Sequence, residues 1–171
     1  MDTDALVRNI GNVANASTPL GLIVALAGGG RLRLIHGLVV ADQVSLPAVT
    51  ASAVTIGSVV LVPGRSLEQA STRIPGLLEH ENHHAYQWAY CFGVPFAPLY
   101  AAAAAWSWLR SGNRASANVF EKQAGLSLGG YPASPLRSAP AGLLALCRVL
   151  SGAVAQRSGR PAAATAADAV A

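Results

Sequence analysis

Charged residues are scarce in this 171-residue chain. They make up 12% of it, about half the average for a soluble domain, so there is little material for a solvated surface. Lysine is nearly absent: Lys122 stands alone beside eleven arginines. The arginines are dispersed from Arg8 to Arg160 with no basic run and no interleaved aromatics. That pattern lacks the basic stripe of a nucleic-acid binder, and no nucleic-acid partner is expected. Cysteine is limited to Cys91 and Cys147, in no CxxC or ligand-like spacing. A disulfide framework is therefore not implied, and a reducing compartment is allowed. Aromatics are few, and the apolar mass is mostly Ala, Val and Leu. The opening MDTDALVRNIGN has no apolar core of the signal-peptide kind, which sets the expectation of no signal peptide and a cytoplasmic location.

Long hydrophobic runs are also rare. Ala89 to Leu109 carries no charge over 21 residues, long enough to cross a bilayer. Gly93, Pro95 and Pro98 interrupt it early, and five consecutive alanines from Ala101 to Ala105 have little affinity for lipid. A buried helix is the expectation here, with peripheral membrane contact as the alternative.

Punctuation divides the rest. Residues 1 to 16 read as polar and compatible with a short helix. Ser17-Thr18-Pro19 reads as a helix start, and Gly28-Gly29-Gly30 as its stop. RLRLIHGLVVA looks extended, with Gly37 at a turn or bulge. Val54 to Val62 is β-branched and closed by Pro63-Gly64, the clearest strand in the chain. After it the pattern turns helical. Ser66 and Gln69 have capping-box spacing. Pro75 opens a helix to about Phe92, with Gly93 as its stop, and Pro95 a second to about Arg110. Ser116 is placed to cap a third through about Leu126, Gly129-Gly130-Tyr131-Pro132 forms a turn, and Pro140 opens a last helix to about Gln156. The fold class is α+β: a small N-terminal sheet followed by helices, in one domain over residues 1 to 156, with 157 to 171 expected as a disordered tail.

Three of the four histidines fall within HENHH, residues 80 to 84. His80-Glu81-Asn82-His83-His84 is an HExxH motif on an expected helix. Residues i and i+4 share a helix face, so His80 and His84 can address one ion. Glu81, one step round, can reach a water at that ion without occupying it, as a general base must. Zn²⁺ brings such a water toward neutral pKa, ready to attack a carbonyl. Four His and four Glu placed at random would produce the pattern only about 0.002 times in such a chain, so the motif is worth pursuing to a third ligand. Downstream of His84 the only acids are Glu121 and Asp168, and Glu121 lies on an expected helix, in NVFE. Two His and one Glu is a common catalytic zinc set that leaves a position for water. His83 and His36 stay open as alternatives, His83 lying about 60° of helix away from the shared face. A di-iron bundle would need a second ExxH pair and more glutamates, which eight acids in all do not supply.

An HExxH helix followed by a glutamate on a later helix resembles the gluzincin zinc metallopeptidases, and the short chain resembles their minimal versions, the minigluzincins. The likeness runs from about Val54 to Tyr131. It implies zinc on His80, His84 and Glu121, Glu81 as the base, a peptide or protein substrate, and an upstream strand able to pair with an extended peptide. Tyr131 would be a donor to the oxyanion, with simple packing as the alternative. The chain departs from the pattern at Asn82 and His83 inside the motif. It departs again after Glu121, where Lys122, Gln123, Ala124 and Gly125 replace the acid that commonly orients a ligand histidine. Gln87, seven residues after His80 on the same face, is a candidate substitute. The expected activity is zinc-dependent hydrolysis of a peptide bond. A zinc-binding scaffold without turnover and a membrane-associated protein are the alternatives.

Overall fold

The computed structural model describes residues 3–47 and 49–157. Two helices, α1 (Thr3–Ala14) and α2 (Ser17–Ala27), precede four strands: β1 (Arg31–Ile35), β2 (Leu38–Val44), β3 (Val54–Ile56) and β4 (Val59–Pro63). Five helices follow: α3 (Leu67–Arg73), α4 (Leu77–Tyr90), α5 (Phe96–Ser111), α6 (Val119–Ala124) and α7 (Ala139–Arg157). The fold is α+β.

The strands form one sheet in the order β1-β2-β4-β3. β1 and β2 are a hairpin turned by His36-Gly37, both at positive φ, the geometry that a two-residue turn needs to match strand twist. β2 and β4 run parallel in the centre. Four apolar residues in succession, Val59-Val60-Leu61-Val62, are all buried, because β4 is covered on both faces. Val60 and Val62 pack with Leu38 and Val40 against Leu67, Ala70, Leu77 and Ala85 of α3 and α4. Val59 and Leu61 pack with Ala41 and Val44 against Ala25 of α2.

Three expectations need correction. The strand expected over Val54 to Val62 is a hairpin, β3 and β4, broken at Gly57-Ser58. Gly57 has φ +62° and lies against the start of α2, where a Cβ would sit 2.4 Å from the Thr18 nitrogen; only glycine permits both the turn and the approach. The helix carrying Glu121 starts later than Ser116. Asn118 is its cap, accepting from Phe120 N at 3.0 Å, while the Ser116 hydroxyl bonds Pro132 O at 3.1 Å. The apolar stretch from Ala89 is broken at Cys91–Pro95, and α5 is not a buried helix: Phe96 and Ser107 are its buried residues, and Leu99 and Trp106 are exposed. Of the expected tail, Arg157 closes α7 and the remainder lies outside the described residues.

α1 fixes the height and roll of α4. Asn12 is fully buried and its amide donates to Ala85 O at 2.8 Å and to Ser58 Oγ at 3.1 Å. Arg8, also buried, donates to Asn82 and to Gly37 O, and its guanidinium lies 5.0 Å from the Tyr86 ring centroid. Burial lowers the Arg8 pKa, which the Tyr86 hydroxyl partly offsets. Asn82, the polar departure inside HExxH, is thus a docking point for α1.

Gly57→Ala should cost at least about 2 kcal/mol, from left-handed backbone strain plus a main-chain clash. A urea titration followed by circular dichroism reads it as a lower midpoint with an unchanged slope.

Candidate metal centre

The i, i+4 spacing on α4 puts His80 and His84 side by side, Nε2 to Nε2 at 3.1 Å. α6 brings Glu121 across to meet them: its Oε2 is 3.1 Å from His80 Nε2 and 3.8 Å from His84 Nε2. All three side chains are buried, and one ligand atom from each lies within 4.8 Å of the others. The structure therefore brings together His80, His84 and Glu121 in a group that can hold a metal ion. His83 is half-buried on another side of α4, and His36 is exposed in the β1–β2 turn; neither joins the group.

The surroundings fix which atoms face inward. His80 Nδ1 is 3.1 Å from Gly125 O. A carbonyl only accepts, so Nδ1 carries the hydrogen and Nε2 presents a lone pair. His84 Nδ1 is 2.8 Å from Gln87 Oε1. The Gln87 amide nitrogen donates to Phe120 O at 2.9 Å, which fixes the amide's orientation and makes Oε1 the acceptor. His84 Nε2 is then a lone pair too. Gln87 is buried and anchored, and holds the histidine in the place where an acid was expected. On Glu121, Tyr100 donates to Oε1, while Oε2 is buried with no hydrogen-bond donor. Three acceptor atoms thus converge with no donor among them, an arrangement that repels itself unless a cation or proton sits between them.

Electrostatics agree. Burial works against charge on His80, but the bond that a protonated His80 would donate to Glu121 and the fields of Glu81 and Glu121 outweigh burial and raise its pKa. Burial likewise works against the Glu121 carboxylate, yet the bond that a protonated His80 would donate, the bond from Tyr100 and the two imidazoles hold its pKa below the ordinary value. The preference that draws a proton into this cluster is the one that would draw a divalent ion.

Glu81 sits beside the cluster, fully buried. Thr55 of β3 donates to its Oε2 at 2.7 Å, and Trp88 donates to Thr55 O at 2.8 Å, tying the edge strand to α4. Burial raises the Glu81 pKa, against smaller lowering contributions from His84, Thr55 and His80. A cavity of about 540 Å³ opens onto Glu81, His80, His84 and Glu121, walled on one side by Ile56 and Phe96. Tyr131 also lines it, with its ring 5.8 Å from that of His80 and its hydroxyl 3.5 Å from Arg114 Nη2. Burial and Glu121 raise the Tyr131 pKa against the pull of Arg114, so its O–H proton is retained near neutrality.

Sequence reasoning missed Tyr100, Thr55 and the tight fit of Gly129, where a Cβ would lie 2.6 Å from the His80 ring. The paired glycines before Tyr131 were the one available sign of that approach. Compared with known protein families, curated proteins and solved structures, the chain matches none of them.

Zinc should raise the melting temperature. At hundredfold excess over Kd the stabilisation is about 2.7 kcal/mol. His84→Ala and Glu121→Ala should abolish that response in differential scanning fluorimetry, and His83→Ala and His36→Ala should keep it. Gln87→Leu and Tyr100→Phe remove partners of the ligand side chains and should each weaken zinc binding by about 10-fold, as read by competition against a chromogenic chelator.

Proposed function

We propose that this chain is a zinc-dependent peptidase. The observation that carries the reading is the placement of one buried carboxylate, Glu81, in the same cavity as the convergent acceptors of His80, His84 and Glu121. The donor set of two imidazoles and a carboxylate is that of a catalytic zinc site rather than a closed structural one. Bound zinc would supply a Lewis acid for the carbonyl and for water.

The chain's own residues divide the remaining work. Glu81, held by Thr55, takes a proton from the attacking water. It returns that proton to the leaving nitrogen as the carbon–nitrogen bond breaks, so water is added across the peptide bond. Burial suits the carboxylate to this exchange, because it raises the pKa above the ordinary carboxylate value and so makes Glu81 a stronger base. Tyr131 keeps its hydroxyl hydrogen and makes a hydrogen bond with it to the carbonyl oxygen as charge develops there. Tyr100 positions Glu121 and Gln87 positions His84; neither needs to touch the substrate. The substrate enters extended along the segment from Thr50 to Thr55, which lines the cavity beside Glu81. Strand addition there is short: β3 is a three-residue edge strand, and the Thr55 carbonyl is already taken by Trp88.

Glu81→Gln should lower kcat by roughly 10²–10⁴-fold on internally quenched peptides while zinc content stays at the wild-type level. Retained cleavage in this variant would remove Glu81 from the reaction. No cleavage of any peptide by zinc-loaded wild type would favour a binding scaffold.

A further inference from the structure

Helices α1 and α2 are inside out. Their buried residues are small or polar: Ala5, Arg8 and Asn12 on α1, and Ser17, Thr18, Gly21 and Ala25 on α2. Their exposed residues are large and apolar: Leu6, Val7, Ile10 and Val13, then Leu20, Ile23 and Leu26. Ile10 is 60% exposed and Ile23 is 65% exposed. A helix resting on a core with water outside shows the reverse. From Ala5 to Gly30 every exposed side chain is Leu, Val, Ile, Ala or Pro, and the one charged residue, Arg8, is buried.

The surface continues onto the α4–α5 loop. Asn15, at the corner between the helices, donates to Trp88 O at 3.3 Å and lies against Gly93, where a Cβ would be 2.8 Å from Asn15 O. That contact sets Phe92, 82% exposed, and Val94 beside the corner. Exposed apolar side chains gathered on neighbouring elements in this way mark an interaction surface.

We propose that α1, α2 and the α4–α5 loop seat this protein on an anionic lipid bilayer. The chemistry of the face selects lipid over another protein. Protein interfaces carry about one hydrogen bond per 100–200 Å², and between Ala5 and Gly30 the exposed side chains offer no donor or acceptor. Hydrocarbon asks for none. The charge balance suits acidic headgroups: Arg33 is paired with Asp42 and Glu68, which leaves Asp4 and Glu79 as the other exposed acids among the described residues, against Arg31, Arg73, Arg114, Lys122 and Arg148. Arg31 stands at the end of α2. The protein lies on the membrane and does not cross it there. No single helix among the described residues is long and apolar enough to span, and α1 and α2, which reach that length and composition together, are bent by 77°. Such helices bury an apolar face at the level of the headgroups. Leu20 and Ala97 are exposed and also line the cavity at His80, His84 and Glu121, so its wall continues into the docking face. On the peptidase reading, and only on it, the substrate is a peptide segment held at the bilayer surface.

The test is flotation of the full chain with vesicles, which needs no activity. Wild type should float with vesicles of phosphatidylcholine and phosphatidylglycerol, and less with phosphatidylcholine alone. The triple variant Val7→Asn, Ile10→Asn, Ile23→Asn should lose at least about tenfold of the floated fraction with an unchanged far-ultraviolet circular dichroism spectrum. Ile23→Asn alone serves if the triple variant does not fold, and should lose part of the floated fraction. Wild type left at the bottom of the gradient with both compositions overturns the proposal, as does a folded variant that floats like wild type. Equal flotation on both compositions overturns the anionic preference. A wild-type dimer in sedimentation velocity that the substitutions convert to monomer, without vesicle binding, assigns the face to a second copy.

Discussion

Three buried lone pairs facing one another are the constraint around which this structure is arranged. His80, His84 and Glu121 each turn an acceptor toward a common point, and each is prevented from turning away by a bond on its far side. Gly125 O takes the outer hydrogen of His80, Gln87 that of His84, and Tyr100 occupies the second oxygen of Glu121. A buried group with no partner ordinarily rotates or draws in water. Here rotation would break a bond already made. The cost of assembling the cluster is carried by folding, which leaves the site preorganised for a cation.

That arrangement explains why short elements are placed as they are. α6 has six residues, too few to be stable alone, yet it supplies Glu121 and, through Phe120 O, the anchor for Gln87. The turn that follows brings Gly129 onto the His80 ring and Tyr131 into the cavity. The edge strand β3 has three residues, and its Thr55 serves both Glu81 and Trp88. Elements that would fray in isolation are held by the polar side chains of α4, so HExxH organises the fold around it as well as providing ligands.

Much of this was legible in the sequence because the chain has so few acids. With eight in all, the carboxylate partner of HExxH could be narrowed to Glu121 without a structure, and the i, i+4 rule gave the shared face of His80 and His84. Gln87 could be named because helix periodicity returns to that face after seven residues. Tyr100 could not be named: a tyrosine ahead of an alanine run carries no mark of its partner 21 residues later. The β3–β4 hairpin was hidden by a β-branched run that reads as one strand. The information lay in Gly57, whose role depends on the approach of α2. The largest error concerned α5. Apolar composition was read as burial, whereas alanines that pack against little leave most of that helix at the surface.

The distinction between apolar composition and burial matters for α1 as well. Its period was visible, but period alone does not say which stripe faces inward. In most helices the apolar stripe does, because water solvates the other one. In α1 the polar stripe faces inward, because Arg8 and Asn12 bond Asn82, Gly37 O and Ala85 O. Once those groups are committed to holding α4, helical periodicity leaves Val7, Ile10 and Val13 on the opposite side, and the chain has no spare charge with which to replace them. The apolar outer face is therefore a consequence of how the HExxH helix is held. On the membrane-docking proposal, lipid covers that face without requiring a single additional hydrogen bond.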